Sequence, residues 1–407
     1  MLLLQLVLLI TLGICVWWIM ITLLGLTKND WHPTATKKLT YQNFGVIICA
    51  HNEETVIDRI LRSLAQQDYP LDHYHTFVLA DHCTDKTASR AHWHNNVTVY
   101  ERTDGPRTGK GAILEWGINR ILSSYPKQYD AFVIFDADNI MKPNYLSVLN
   151  EALDDKTAVV TGQRLAQNPF DSLISQWYTI YWGMLNNLCN TPRSRLGLSS
   201  MLSGTGFAFK ISALNNRSWQ TKTFIEDVEF DIQQTLKGNT VQYVKDAIFY
   251  DEQPTNFSQM FKQLSRWSTG GTQMPKLYMG QWLRTFWHCP DAQMVDNLFF
   301  INMGTTVCLS LLANCLINIF YLVRGNWLLL GNSIFCMVIL TMLTILIGFI
   351  ASLHVRWPLH KLLPGIFTYP VFSMIFSCIS AYSLLKPQKE WKKIEHGQTS
   401  VELKSLC

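Results

Sequence analysis

The stretch AFVIFDADN (residues 131–139) places five apolar residues directly before two aspartates that are two positions apart. A short continuous apolar run of this kind is typical of a buried strand. Similar runs occur at 46–50, 77–80 and 97–100. Between them, residues 53–65 and 110–122 carry apolar side chains at helical spacing. Strands that alternate with helices predict an α/β fold with a largely parallel, doubly wound sheet.

The ends of the predicted strands are where a binding site is expected, because ligands bind beyond the carboxyl ends of the strands in such sheets. Polar side chains follow three of the predicted strands, at 51–54, 81–85 and 136–139. The candidate site residues at these ends are Asn52, Glu53, Asp81, Asp136 and Asp138.

The composition excludes several classes of protein. Only 16% of the 407 residues are charged and 48% are hydrophobic, whereas soluble domains average about 25% charged residues. These values argue against a disordered chain, an ordinary cytosolic enzyme and a basic nucleic-acid binder, and we expect no nucleic-acid partner. Four runs are nearly free of charge and long enough to cross a bilayer: 1–27, 297–323, 325–355 and 362–385.

The distribution of these runs predicts a soluble-type domain between membrane segments. We expect an N-terminal transmembrane helix that is retained rather than cleaved as a signal peptide, and a C-terminal membrane bundle of about three segments. Lys28, Lys37 and Lys38 follow the first run and favour a cytoplasmic position for the middle domain. The expected boundaries are 1–27 for the first helix, 40–252 for the α/β domain, 253–295 for interfacial amphipathic helices, 296–385 for the bundle and 386–407 for a basic tail.

Two segments rich in aromatic residues have apolar stretches too short to span a membrane, yet they are more hydrophobic than is usual for the surface of a soluble domain. For 170–188 an interfacial helix and a core helix are equally supported, whereas for 255–287 we favour an interfacial amphipathic helix. The last apolar run contains Pro364 and Pro370, which suggests a bent or re-entrant segment and a cytoplasmic tail.

Several motifs suggest chemistry, and each also has a purely structural interpretation. Asp136 and Asp138 can hold Mg²⁺ or Mn²⁺ together with substrate phosphates, or form a solvated turn. Asp81 suits a nucleotide base or ribose, or a helix cap. Lys110, after Gly109 at a helix start, suits an anionic group, although the spacing does not match a P-loop.

Two further motifs lie later in the chain. Glu226 and Asp227 open a helix, where one of them can act as a general base or both can merely complement the helix dipole; spacing alone favours the dipole. Gln263, Arg266 and Trp267 lie within one helical turn, where they can clamp a diphosphate and stack on a sugar, or lie at the membrane interface.

In this order, the motifs resemble those of the membrane-integrated family 2 glycosyltransferases, a group that includes cellulose, chitin, hyaluronan and poly-N-acetylglucosamine synthases. The resemblance covers about 40–275 and implies a GT-A domain at 40–252, a UDP-sugar donor and inversion at the anomeric carbon. Asp227 would be the catalytic base, although Ile225 stands where the family usually has Thr. Asp136 and Asp138 would bind Mg²⁺ or Mn²⁺.

The resemblance also implies binding roles for the remaining motif residues. The nucleotide and diphosphate would be bound by Asn52, Glu53, Asp81, Lys110, Gln263 and Arg266. The acceptor would be bound by Trp267, Gly204, Thr205 and Glu226. Trp391 and His396 resemble a tryptophan-containing element that follows the last span in some relatives.

Three hypotheses for the function remain open at this stage. The first is elongation of a β-linked polysaccharide at the cytoplasmic membrane face. The second is addition of one sugar to a lipid-linked acceptor during exopolysaccharide assembly, and the third is a non-catalytic subunit of a secretion complex. Because the membrane part is small, we also expect a homo-oligomer or a secretion partner to complete any pore.

Overall fold

The computed structural model describes residues 2–29, 40–216 and 218–388. Eight strands lie in the described part and form one sheet, in the order β3-β2-β1-β4-β7-β6-β8-β5. They are β1 (Phe44–Ala50), β2 (Tyr74–Asp81), β3 (Val97–Arg102), β4 (Ala131–Asp136), β5 (Ile140–Met141), β6 (Val159–Ala166), β7 (Phe207–Lys210) and β8 (Val241–Asp251). The observed fold is therefore the GT-A-like α/β arrangement, with helices on both faces of the sheet.

The first four strands pair in parallel, as the alternation of strands and helices predicts. The other half of the sheet departs from a largely parallel arrangement. β7 runs antiparallel to both β4 and β6, and β5 runs antiparallel to β8, whereas β6 and β8 are parallel. The sheet is therefore mixed, because the short β7 enters between β4 and β6 in the opposite direction.

The helices of the α/β domain cover both faces of the sheet. They are α2 (Ile57–Ala65), α3 (Thr87–Ala91), α4 (Lys110–Ser124), α5 (Tyr145–Ala152), α6 (Leu173–Met184), α7 (Thr191–Leu196), α8 (Glu226–Leu236) and α9 (Phe257–His288). Val46 and Ile48 pack on the α2 and α5 side, and Ile47 packs on the α4 side. Both faces of β1 are thus buried, which explains its unbroken apolar sequence.

Four longer apolar helices flank the domain: α1 (Leu2–Leu26), α10 (Ala292–Val323), α11 (Trp327–Leu353) and α12 (Leu359–Leu385). Among the described residues, three segments are long and apolar enough to cross a membrane: Leu4–Leu26, Trp327–Leu353 and Leu359–Leu385. In α10 the described apolar part is shorter, Leu312–Val323. The predicted run at 297–323 is helical, but side chains in its first half lie outside the described set.

Three expectations for individual segments can be compared with this fold. The segment at 170–188 packs as a core helix, because Tyr178 and Trp182 of α6 lie among buried residues of α12 such as Phe372. The last apolar run forms one helix, α12, with Pro364 and Pro370 inside it, and a bent or re-entrant course for this segment stays a prediction. Trp391, His396 and the tail from 389 onward lie outside the described residues.

Candidate active site

A cavity of about 330 Å³ lies at the carboxyl ends of β1, β2 and β4, between the first turns of α4 and α8 and the first half of α9. Most of the residues singled out from the sequence line it, although they come from seven separate parts of the chain. They are Glu53, Asp81, Lys110, Asp136, Asp138, Gly204, Glu226, Asp227, Gln263, Arg266 and Trp267. The two others, Asn52 and Thr205, are not part of the lining.

One side of the cavity is the turn that follows β4. On this turn, the Asp136 side chain lines the cavity and is 41% exposed, whereas Asp138 is buried. Lys110 Nζ donates to Asp136 Oδ1 at 2.5 Å and to the Gly204 carbonyl at 2.6 Å. Burial alone would lower the pKa of Lys110, but the charge of Asp136 outweighs it and raises the pKa, so Lys110 stays cationic. This side therefore combines two carboxylates with one fixed ammonium group.

The carboxylates of Asp136 and Asp138 suit a hard divalent cation. Among the described residues no three His, Cys, Asp or Glu side chains converge as a ligand set. Two carboxylates are nevertheless enough for Mg²⁺ or Mn²⁺ when substrate phosphates and water complete the coordination. The donor set on this turn fits an ion that binds together with a diphosphate.

Thr205 supports this turn from behind. Its side chain is fully buried, and its Oγ1 accepts a hydrogen bond from the Asp136 N–H at 2.9 Å and donates to Asn139 Oδ1. The structure therefore places Thr205 where it positions the carboxylate turn, and not where it would touch an acceptor. Gly204 does face the cavity, in the left-handed region with φ of 82°, and a side chain there would lie 3.8 Å from Asp227 Oδ2.

Asn52 likewise holds the walls of the site and does not line the cavity. It adopts a positive φ of 56°, and its Oδ1 accepts from the Thr84 N–H at 2.7 Å. It thereby joins the loops that follow β1 and β2. The next residue, Glu53, is buried and lines the cavity.

Asp81 is held by a cluster of basic side chains. Arg102 Nε donates to Asp81 Oδ1 at 2.8 Å, and His82 Nδ1 lies 2.8 Å from the same oxygen. His51 Nδ1 donates to the Asp81 carbonyl at 2.6 Å, and its Nε2 pairs with Arg107. The sequence motifs did not include Arg102, but Asp81 and Arg102 are opposed in register at the ends of β2 and β3.

Glu226 and Asp227 form the first turn of α8 on another side of the cavity, and both are buried. Burial, followed by the charge of Asp227, raises the pKa of Glu226 to about 7. Burial also raises the pKa of Asp227, although backbone N–H groups at the helix start, Lys110 and Arg266 oppose it. A carboxylate with a raised pKa in a desolvated site is a stronger base than a free one.

The α9 wall carries polar atoms that lack partners within the described part of the chain. Gln263 Oε1 and Arg266 Nε are both inaccessible to solvent and make no hydrogen bond there. Unpaired buried polar groups are rare and costly, so atoms of this kind at a cavity point to a bound polar ligand. Trp267 packs in an aromatic cluster, stacked on Tyr181 at 5.9 Å between ring centroids and edge-on to Trp182 at 5.9 Å.

Sequence reasoning missed a second charged group in the cavity, formed by Arg164 of β6 and Asp251 of β8. The two form a buried ion pair, and the Arg164 guanidinium also donates to the Ser203 carbonyl at 2.6 Å and lies 3.9 Å from the centre of the Trp182 ring. Burial raises the pKa of Asp138, with further contributions from the charges of Asp251 and Asp136. Asp251 is the last residue of a strand, as Asp81 and Asp136 are. This strand-end position is the sequence feature by which Asp251 could have been identified as a site residue.

Comparison with known proteins places this site in a family. A family model described as "Glycosyltransferase like family 2" matches residues 42–270. The probable glycosyltransferase YdaM of Bacillus subtilis is 24% identical over 262 residues, which are 63% of this chain and 60% of that protein. Poly-beta-1,6-N-acetyl-D-glucosamine synthase of Staphylococcus aureus is 25% identical over 56% of this chain and 54% of its own length. The chain thus spans little more than half the length of these relatives.

A solved structure shares the fold. The mannosyltransferase PcManGT from Pyrobaculum calidifontis, determined in complex with GDP-Man and Mn²⁺, superimposes with a TM-score of 0.59 at 14% sequence identity. The alignment covers 95% of this chain and 99% of that one. Because the family model matches more than half of the chain, the protein belongs to glycosyltransferase family 2 and is related to polysaccharide synthases.

Proposed function

We propose that this protein transfers a sugar from a UDP-sugar, with inversion at the anomeric carbon, to a saccharide acceptor at the cytoplasmic face of a membrane. The observation that carries this proposal is the composition of one cavity. It contains a buried carboxylate with a raised pKa, a carboxylate turn suited to a cation, and unpaired polar atoms of Gln263 and Arg266. Inverting transfer needs a base for the acceptor hydroxyl and, in the same cavity, groups that bind the leaving diphosphate.

The proposed base is Asp227, which takes the proton from the acceptor hydroxyl. The acceptor oxygen then bonds to the anomeric carbon while the bond from that carbon to the diphosphate oxygen breaks, and its electron pair leaves with the UDP. Gly204 lies between Asp227 and Lys110. Its carbonyl accepts a hydrogen bond from Lys110, and its α-carbon faces Asp227. Without a side chain, it leaves room for the sugar between the base and the cationic side.

The charge that develops on the leaving diphosphate is stabilised by the side chains around it. Lys110 and Arg266 supply fixed positive charge in a desolvated cavity, where it acts more strongly than in water. A Mg²⁺ or Mn²⁺ ion held by Asp136 and Asp138 would supply further charge neutralisation when bound. Asp81, fixed by Arg102, can accept a hydrogen bond from the imide N–H of uracil, which supports UDP as the nucleotide.

The cytoplasmic position is proposed from the chain that follows the first helix. Lys28 directly follows α1, and cationic residues beside a span favour the cytoplasmic side. The relatives that synthesise polysaccharide support a saccharide acceptor. Glu226 and Trp267, which lie beside the base and on the α9 wall, are the proposed acceptor contacts.

The first test is release of UDP by the purified full chain in detergent, with a panel of UDP-sugars, short saccharide and alkyl glycoside acceptors, and Mg²⁺ or Mn²⁺. We expect one donor to be turned over, with loss of about a hundredfold or more in rate after chelation by EDTA and recovery on addition of Mn²⁺. Binding of UDP, measured by calorimetry, should weaken in parallel. Absence of UDP release from every donor would contradict the proposed function and favour a non-catalytic subunit.

The pH dependence tests the assignment of the base. Asp227 acts only when deprotonated, so activity should fall as the pH drops through its pKa, which burial raises above the ordinary value of about 3.9. Burial and the charge of Asp227 raise the pKa of Glu226 to about 7, so Asp227 deprotonates first and Glu226 is still neutral while it does so. Replacing Glu226 by Gln should therefore leave the acid limb of the kcat profile within about 0.3 pH unit of the wild type. A limb that moves to lower pH by about one unit or more would show that Glu226, and not Asp227, titrates there in the wild type.

A further inference from the structure

The cavity continues beyond the proposed base toward α12. Phe376, Ser380 and Leu384 lie four residues apart on one face of this helix, and all three line the cavity. Ser380 Oγ is hydrogen-bonded to Ser268 Oγ of α9 at 2.9 Å. The acceptor side of the site is therefore walled by a helix that is apolar and long enough to cross a membrane.

This helix lies against the α/β domain over most of its length. In its second turn, the Gly365 N–H donates to Gln176 Oε1 of α6 at 2.8 Å. Near its end, the Tyr382 ring lies 5.8 Å from that of Phe261 on α9. Just beyond it, the chain N–H at position 388 donates to the Thr269 hydroxyl at 3.1 Å. Both ends of α12 thus contact helices that form the catalytic cavity.

The opposite face of α12 is apolar and exposed. Phe367, Val371, Met374 and Leu385 form this outer stripe. Leu384 belongs to both surfaces, because it lines the cavity and is also 37% exposed. The cavity therefore reaches the molecular surface beside apolar side chains of the kind that face lipid.

Two of the three candidate spans among the described residues offer little to enclose an exported polymer. In Leu4–Leu26 and Trp327–Leu353, only 11% of the most apolar window is buried in each case. A pore for a saccharide chain needs helices packed around a polar channel, and these faces are apolar and open. A product that stays at the membrane surface agrees better with this arrangement.

We propose that the acceptor is an amphiphile, a sugar attached to a lipid. Its sugar hydroxyl reaches Asp227 past Trp267, and its apolar part leaves the cavity beside Leu384 to lie along α12 in the bilayer. The hydroxyl groups of Ser268, Thr272 and Ser380 face the sugar end, and Phe376 and Leu384 contact the apolar end. This inference rests on the proposed function and specifies the acceptor class for the same site.

The test compares acceptors that share a sugar but differ in their apolar part. Purified full chain receives the UDP-sugar identified in the donor panel, with ethyl or decyl β-glucoside and ethyl or decyl β-N-acetylglucosaminide, all at submicellar concentrations. Each buried methylene is worth about a fourfold gain in binding, so burying even a few should raise kcat/KM for a decyl acceptor at least about tenfold over its ethyl partner. Mass spectrometry should show one added sugar in each product.

Variants at the mouth of the cavity locate the apolar part. Leu384→Trp fills the mouth and should reduce the decyl-to-ethyl ratio to below about threefold. Val371→Trp, the same substitution type on the outer face of α12, should retain the ratio. If Leu384→Trp folds poorly, judged by its elution in gel filtration, Leu384→Phe narrows the same mouth with a smaller side chain and should lower the ratio in the same direction.

The outcomes separate this inference from the proposed function. Equal rates for ethyl and decyl acceptors, with a ladder of oligomers, would overturn the lipid acceptor and leave sugar transfer intact. A decyl-to-ethyl ratio that neither Leu384→Trp nor Leu384→Phe changes would do the same. Failure of UDP release with every donor and acceptor would overturn both.

Discussion

Replacing Asp227 by Asn is expected to lower kcat by about a hundred- to ten-thousandfold, because an amide cannot take a proton from the acceptor hydroxyl. The substitution keeps the size of the side chain, so the cavity and the donor contacts of Lys110 and Arg266 should persist. The KM for the UDP-sugar should therefore change little, and the affinity for UDP measured by calorimetry should stay within about threefold of the wild type. Steady-state UDP release over a range of donor concentrations measures both constants.

Asp231→Asn is the matched control, since Asp231 lies one turn further along α8 and is also buried. Burial raises its pKa to about 7, and its Oδ1 accepts from the Ser199 hydroxyl at 2.9 Å, a bond that Asn can keep. We expect this variant to retain activity within about fivefold. Wild-type activity in Asp227→Asn would remove Asp227 as the base, and an equal loss in both variants would indicate damage to α8 instead.

The first half of the fold was predictable because both faces of its strands are buried. Ile47 faces one helix layer, and Val46 and Ile48 face the other, so the run reads as continuously apolar. β7 was not predictable in this way. Its four residues, Phe207–Lys210, carry no signal for their antiparallel position between β4 and β6, which depends on long-range pairing.

The candidate site shows the same division between local and long-range information. Strand-end acids such as Asp81 and Asp136 could be found because a strand end is a local feature. The neighbours of these groups could not, because Arg164 reaches the site from the unpredicted strand β6. Asn52 and Thr205 belong to recognisable motifs, yet their side chains bind other loops of the protein, which sequence spacing does not reveal.

A buried ion pair joins the α/β domain to the flanking apolar helices α1 and α10. Arg193 of α7 donates to Asp296 of α10 through Nε at 2.7 Å and Nη2 at 2.9 Å, and both side chains are buried. From α1, the Trp17 Nε1–H donates to the same carboxylate at 2.9 Å, and the Trp18 ring lies 4.7 Å from the Arg193 guanidinium. One carboxylate therefore holds three helices, and α7 leads directly into the loop that carries Gly204.

Replacing Arg193 by Met should destabilise the protein by about 3–5 kcal/mol, because it leaves the Asp296 carboxylate buried without its cation. We expect the midpoint of thermal unfolding in detergent, followed by tryptophan fluorescence, to fall by at least about 5 °C. Arg195→Met on the same helix removes a long bond, 3.4 Å to the Gly25 carbonyl, from a side chain that is only partly buried, and should cost less than about 1 kcal/mol. Adding Asp296→Asn to Arg193→Met removes the unpaired charge and keeps an acceptor for Trp17, so the double variant should be more stable than Arg193→Met. A double variant less stable than Arg193→Met would show that the carboxylate stabilises the three helices without its arginine.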